Sequence, residues 1–119
     1  MRLEDRDLAY LIDMRSCCDD ILDFTSGVTF ESFASDRMRR LATERQLETL
    51  GEAANHVSEA TQHELPLIAW SKIVGLRNKL AHDYGEVLAE RVWQIAKKSF
   101  PELKEQLLSI PEVKAQSGR

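Results

Sequence analysis

Cysteine is nearly absent from this sequence: Cys17 and Cys18 are the only two. They are adjacent within a helical pattern, where neighbouring side chains point about 100° apart and form no ordinary disulfide. Reduced thiols are therefore expected, and no disulfide framework. The three histidines are scattered, so no Cys/His cluster supplies the ligands of a zinc site, and no metal or other cofactor is expected. Also missing are a glycine-rich phosphate loop, an internal repeat and a low-complexity segment. No run approaches the roughly 20 apolar residues that cross a bilayer. Met1-Arg2-Leu3-Glu4-Asp5-Arg6 does not read as a secretory signal. A cytoplasmic location without membrane contact is the default expectation. Positive charge is not in excess, because the formal net charge is −4. That argues against non-specific coating of nucleic acid, which draws on many phosphate contacts. It leaves room for basic residues gathered in one cleft.

What is present is helical periodicity. At 119 residues and 43% hydrophobic, the chain has enough apolar material for one core. Leu3 to about Phe24 reads as a first helix, with Leu11, Met14, Cys18 and Ile21 as its apolar stripe. Thr25-Ser26-Gly27 closes it, and Val28-Thr29-Phe30 reads as an apolar plug rather than a strand. Ser35-Asp36 can cap a second helix that runs to about Ser58 and buries Leu47, Leu50, Ala54 and Val57. Its opposite face carries Arg45, Glu48, Glu52 and Asn55, which mostly read as a solvated stripe. Ser58 to Pro66 reads as a polar linker. A third helix starts between Leu67 and Trp70, and a fourth runs from about Glu86 to Ile110, kinked at Pro101. Pro111 ends it, and a polar tail follows. The expectation is an all-α, up-and-down bundle of four to five helices over residues 1–110, with 111–119 as the tail.

The stretch with chemical content is Gly75-Leu76-Arg77-Asn78-Lys79-Leu80-Ala81-His82-Asp83-Tyr84-Gly85. On one continuous helix, Arg77 and Tyr84 fall in the apolar arc between Ile73 and Ala81. A guanidinium there needs a carboxylate, a ligand anion or a wet cleft. His82 would lie about 140° from Arg77. The two meet one substrate only if the helix ends near His82 or a second chain completes the site. Taken singly, Arg77 reads as an interface or core arginine paired to a carboxylate, and His82 as a helix-end histidine. Their residue types also match two roles that metal-free phosphodiester chemistry needs, a proton carrier and a cation for phosphate. Histidine, with an ordinary pKa of about 6.5, serves as acid or base near neutrality. Arginine offers phosphate a fixed fork of donors. Separate acid and base call for two histidines, which a two-fold homodimer would supply. Asn78 and Lys79 either touch phosphate or are ordinary exposed helix residues. Tyr84 either stacks in the cleft or packs at a helix end. Trp70 and Trp93 read as core anchors, and His56 and His63 as surface residues. Arg37, Arg39 and Arg40 form a basic cluster that reads first as a solvated face.

Arg77-Asn78-Lys79-Leu80-Ala81-His82-Asp83-Tyr84 resembles the signature of HEPN-domain ribonucleases, in particular the HepT toxin family. Leu47-Glu48-Thr49-Leu50-Gly51-Glu52-Ala53-Ala54 is similar to that family's second-helix pattern, as are the positions of Trp70 and Val92-Trp93. Ala69 departs from it, because many relatives carry proline before the tryptophan. The resemblance spans about Leu8 to about Leu108 and implies a homodimeric, metal-independent endoribonuclease toxin, with Arg77 and His82 catalytic. It further implies that Tyr84 receives AMP from an MNT-type nucleotidyltransferase antitoxin, and it places Glu52 near the site. The competing reading is a non-catalytic helical companion that presents substrate to a nucleotidyltransferase.

Overall fold

In the computed structural model, which describes residues 3–116, every regular element is helical. α1 spans Asp5–Thr25, α2 Phe30–Ser35, α3 Arg37–His56 and α4 Glu59–Glu64. α5 spans Trp70–Val74, α6 Leu76–Leu80, α7 Gly85–Lys98, α8 Phe100–Leu108 and α9 Pro111–Lys114. The molecule is 44 × 30 × 19 Å, and its short dimension equals about two helix diameters. It is a two-layered all-α bundle.

The long pair α1 and α3 forms the spine. Leu11, Met14, Cys18 and Ile21 of α1 bury against Leu47, Leu50 and Ala54 of α3, as the periodicity predicts. α8 closes over α1 with Phe100, Leu103 and Leu107, while α5 and α6 lie on α3. Each fully buried aliphatic side chain contributes about 1.5–3 kcal/mol of transfer free energy, so this interdigitated cluster dominates the favourable side of folding. Cys17 and Cys18 are free and buried. Burial, reinforced by Asp20 and Asp13, pushes the Cys17 thiol up to about 11. Burial also raises Cys18 strongly, and two such thiols are poor nucleophiles at neutral pH.

Caps set the boundaries. Thr25 Oγ1 donates back to the Ile21 carbonyl (2.9 Å) where α1 ends, and Gly27 turns the chain at φ +70°. Thr29 caps α2, Asp36 caps α3 and Ser58 caps α4, each through its side-chain oxygen. Two of those caps mark short helices that the periodicity does not reveal. Val28-Thr29-Phe30 opens α2, and the expected polar linker contains α4. A six-residue helix has too few turns to show a stripe.

The third and fourth helices are both divided. α5 gives way to α6 at Gly75, and α7 to α8 at Ser99. The expected kink at Pro101 is thus a boundary: Pro101 occupies the first turn of α8, where its missing donor costs nothing. The expected structureless tail also begins with structure. Pro111 starts α9 rather than merely stopping α8, and Val113 is fully buried. Residues 117–119 of that tail, like Met1 and Arg2, lie outside the described residues.

Trp70 is buried with its Nε1–H donating to the Leu65 carbonyl, and Trp93 packs on Phe30 and Phe33. Trp70 is a core anchor, as expected, while Trp93 is partly buried against the core. Arg39 is likewise structural, bonded to Asp36 and to the Phe24 carbonyl. Among the described residues, no helix is long and apolar enough to cross a membrane.

Candidate active site

The motif rests on α3 through a glycine. A Cβ on Gly51 would lie 2.9 Å from the Ile73 carbonyl oxygen. Only a bare Cα lets α5 approach this closely, so Gly51 sets the height of the motif above the spine. α6 then turns Leu76 and Leu80 into the core, one helical turn apart.

Arg77 does not enter the apolar arc. It is exposed and borders a recess of about 160 Å³ shared with Glu44 and Glu48 of α3, Leu80, Ala81 and Leu88. The arc closes on Leu76 and Leu80, and Arg77 lies beyond its edge. None of the ion pairs among the described residues involves Arg77. Its guanidinium donors are therefore not consumed by a carboxylate. Burial raises the Glu44 carboxyl above its ordinary value, Arg40 opposes the shift, and neighbouring Glu48 adds to it. The recess thus carries acid groups on one wall and the arginine on its rim.

The helix ends at Leu80, two residues before His82. The Ala81 amide donates to the Arg77 carbonyl (3.0 Å) and the Asp83 amide to the Leu80 carbonyl (3.2 Å). This early ending satisfies one condition for Arg77 and His82 to serve a single substrate, since the 140° offset applies only to a continuing helix. His82 is exposed on the turn. Tyr84 is extended (φ −137°, ψ 158°) at the start of α7, and Gly85 follows at φ +56°. Because Tyr84 lies outside any helix, it too leaves the apolar arc, and the residue is 81% exposed. Asp83 anchors the turn through an ion pair with Arg91 of α7.

Asn78 is exposed at the crest of α6, while Lys79 turns towards a different groove, bounded by α5, α6, α7 and α8. Glu52 is not among the residues lining the Arg77 recess. It is exposed one turn beyond Glu48, and its carbonyl accepts from or faces His56 Nδ1 at 2.8 Å. His56 stacks on Tyr10, and His63 is also exposed. Glu44, Leu88 and the Asp83–Arg91 pair lie beside the motif and are the neighbours that spacing missed. Glu44 has a weak signal, one turn before Glu48 on the same helix. Asp83–Arg91 has none, because it joins a turn to the next helix. Among the described residues, no three His, Cys, Asp or Glu side chains are grouped to hold a metal ion.

The geometry thus presents one guanidinium, one imidazole and one phenol on a single exposed segment. The sequence matches the family described as "Ribonuclease HepT-like" over residues 14–110. It is similar to "Putative RNase MJ1380" of Methanocaldococcus jannaschii, with 31% identity over 83% of this chain and 91% of that protein. It is similar also to "Putative RNase MJ0125" of the same organism, at 35% identity over 86% of this chain and 88% of that one. "Putative RNase TTE0752" of Caldanaerobacter subterraneus is 31% identical over 85% of this chain and 90% of that one. No solved structure matches the chain. The chain therefore belongs to the HepT-like ribonuclease family.

Proposed function

We propose that this ribonuclease-family chain is the toxin of a toxin–antitoxin pair, an endoribonuclease that cleaves RNA without metal. The 2′-hydroxyl of a nucleotide loses its proton to a base and attacks the adjacent phosphorus. The bond from phosphorus to the 5′-oxygen breaks, and an acid protonates that oxygen. The products are a 2′,3′-cyclic phosphate and a free 5′-hydroxyl. His82 transfers protons and Arg77 stabilises charge on the phosphorane. The observation that carries this reading is the exposure of both side chains on the α6 turn, with no ion pair to Arg77 among the described residues.

One chain provides one such histidine, so the working form is a homodimer with two motifs facing one cleft. Support comes from large apolar side chains left uncovered: Met38 is 83% exposed, Leu41 44% and Val87 58%. Met38, Leu41, Arg45 and Glu48 follow one another at three- and four-residue steps along α3. That stripe leads to the Arg77 recess through Glu48.

Tyr84 is the position at which a nucleotidyltransferase antitoxin attaches AMP. The phenol oxygen attacks the α-phosphorus of ATP and pyrophosphate leaves. The exposed ring is accessible to such a partner. The added phosphodiester would place negative charge and a nucleobase near the motif, repelling RNA. Asn78 and Lys79 supply further phosphate contacts.

The test compares wild type, Arg77→Ala and His82→Ala on labelled RNA in EDTA, with product ends identified. Wild type leaves cyclic or 3′-phosphate ends, and each variant loses about 10²–10⁴-fold in rate. Equal inactivity of all three, with no AMP on wild-type Tyr84, overturns the nuclease in favour of the non-catalytic companion. AMP on Tyr84 identifies the silenced form, and the comparison is then made on protein produced without the partner.

A further inference from the structure

We propose that the groove bounded by α5, α6, α7 and α8 is a second RNA site, holding single-stranded substrate beside the scissile phosphate. This rests on the ribonuclease reading of Arg77 and His82. The groove measures about 610 Å³, within the roughly 300–1,000 Å³ typical of ligand sites. Its walls are apolar, provided by Leu76, Phe100 and Leu103. Leu67 forms an uncovered lip, 83% exposed, whose carbonyl is held by Gln106 Nε2 at 3.0 Å.

The charge at its edge selects the occupant. Lys72, Lys79 and Lys98 all line the groove, against the single carboxylate of Glu102. None of the three enters an ion pair or a side-chain hydrogen bond among the described residues. Lys97 and Lys104, by contrast, are engaged with the Thr25 carbonyl and with Asp19. A chain of net charge −4 thus keeps half of its six lysines at one opening, unneutralised. A polyanion with flat apolar groups fits this combination, and RNA has both. Phosphates meet the ammonium groups, and a base lies over Leu67 and Leu76.

The groove also adjoins the motif. Arg77 faces the recess on one side of α6, and Lys79, two residues on, faces the groove on the other. The exposed Asn78 lies between them in sequence. α6 is about 10 Å across, so one strand passing over Asn78 spans both sites.

The test is fluorescence anisotropy of a short unstructured RNA on His82→Ala protein, which leaves the probe uncut, over a range of salt. Each phosphate contact to a single strand contributes about 0.7 to the slope of log affinity against log salt. Adding Lys72→Gln, Lys79→Gln and Lys98→Gln together should lower that slope by about 2 and weaken low-salt binding more than tenfold. All three positions are exposed, and circular dichroism checks that the helices persist. Glu102→Gln should tighten binding, and Lys114→Gln, on α9, should change nothing. An unaltered slope in the triple variant overturns the groove even where wild type cuts RNA. No binding at all also overturns it and leaves the apolar walls to a protein partner. A lysine-dependent slope where wild type cuts nothing upholds RNA binding in the groove, while its place beside a scissile phosphate falls with the nuclease reading.

Discussion

Gly51 shows how a single missing atom positions a site. The family-like Gly51-Glu52-Ala53 run invites attention to the charged residue, yet Glu52 is solvent-exposed while Gly51 is buried beneath the motif. A methyl group there meets backbone rather than a yielding side chain, so α5 must move away. Gly51→Ala should destabilise by about 1–3 kcal/mol, the usual cost of overpacking. A thermal melt would show it as a fall of several degrees. Ordinary substitution for Glu52, by contrast, has no buried partner to lose. The residue-scale lesson concerns Arg77 as well: side-chain type named the candidate, but its exposure depended on where the buried arc ended.

Elements are joined by polar ties that no periodicity records. Asp7 in the first turn of α1 is buried and accepts from the Ser58 amide (3.0 Å), the Ser58 hydroxyl (2.6 Å) and the Thr61 hydroxyl (2.6 Å). Burial pushes its carboxyl up, but these hydrogen bonds outweigh it and hold the group below its ordinary 3.8. A depressed carboxylate contributes stability above its unfolded value and loses it as pH falls through the folded one. Asp7→Asn should therefore cost about 1–3 kcal/mol at neutral pH. In urea titrations the difference from wild type should shrink below about pH 4. The Asp83–Arg91 tie acts differently. Partly exposed ion pairs contribute about 0–1 kcal/mol, so Asp83→Ala should scarcely alter the melting temperature. It frees the turn bearing His82, and kcat for RNA cleavage should drop tenfold or more, since small misplacements are costly. Unchanged kcat would separate the turn's position from catalysis.

At the scale of the whole molecule, the uncovered stripe on α3 bears on assembly. Met38→Lys with Leu41→Lys changes only exposed positions, so helicity should persist. If that stripe is the dimer face, the double variant should sediment as a monomer and lose RNA cleavage together. A monomeric wild type that still cuts RNA would remove the need for two facing histidines. The negative net charge is compatible with an RNA substrate because cations are distributed unevenly, with three lysines at one groove and Arg77 across α6 from them.

Sequence alone determined the helical class, the long helices α1 and α3 and most of their buried stripes, because each repeats its apolar pattern over many turns. It also singled out Arg77, His82 and Tyr84 as a chemical constellation. It did not reveal α2, α4 and α9, whose few residues show no period and whose formation depends on caps and on packing of Phe33, Thr61 and Val113. Nor did it locate the break at Gly75, whereas the break at Ser99 falls beside Pro101, the position of the expected kink. The end of α6 decides which motif side chains are exposed. Ending α6 at Leu80 puts His82 on a turn and Tyr84 in solvent, and the bare Cα of Gly51 lets α5 lie close against α3.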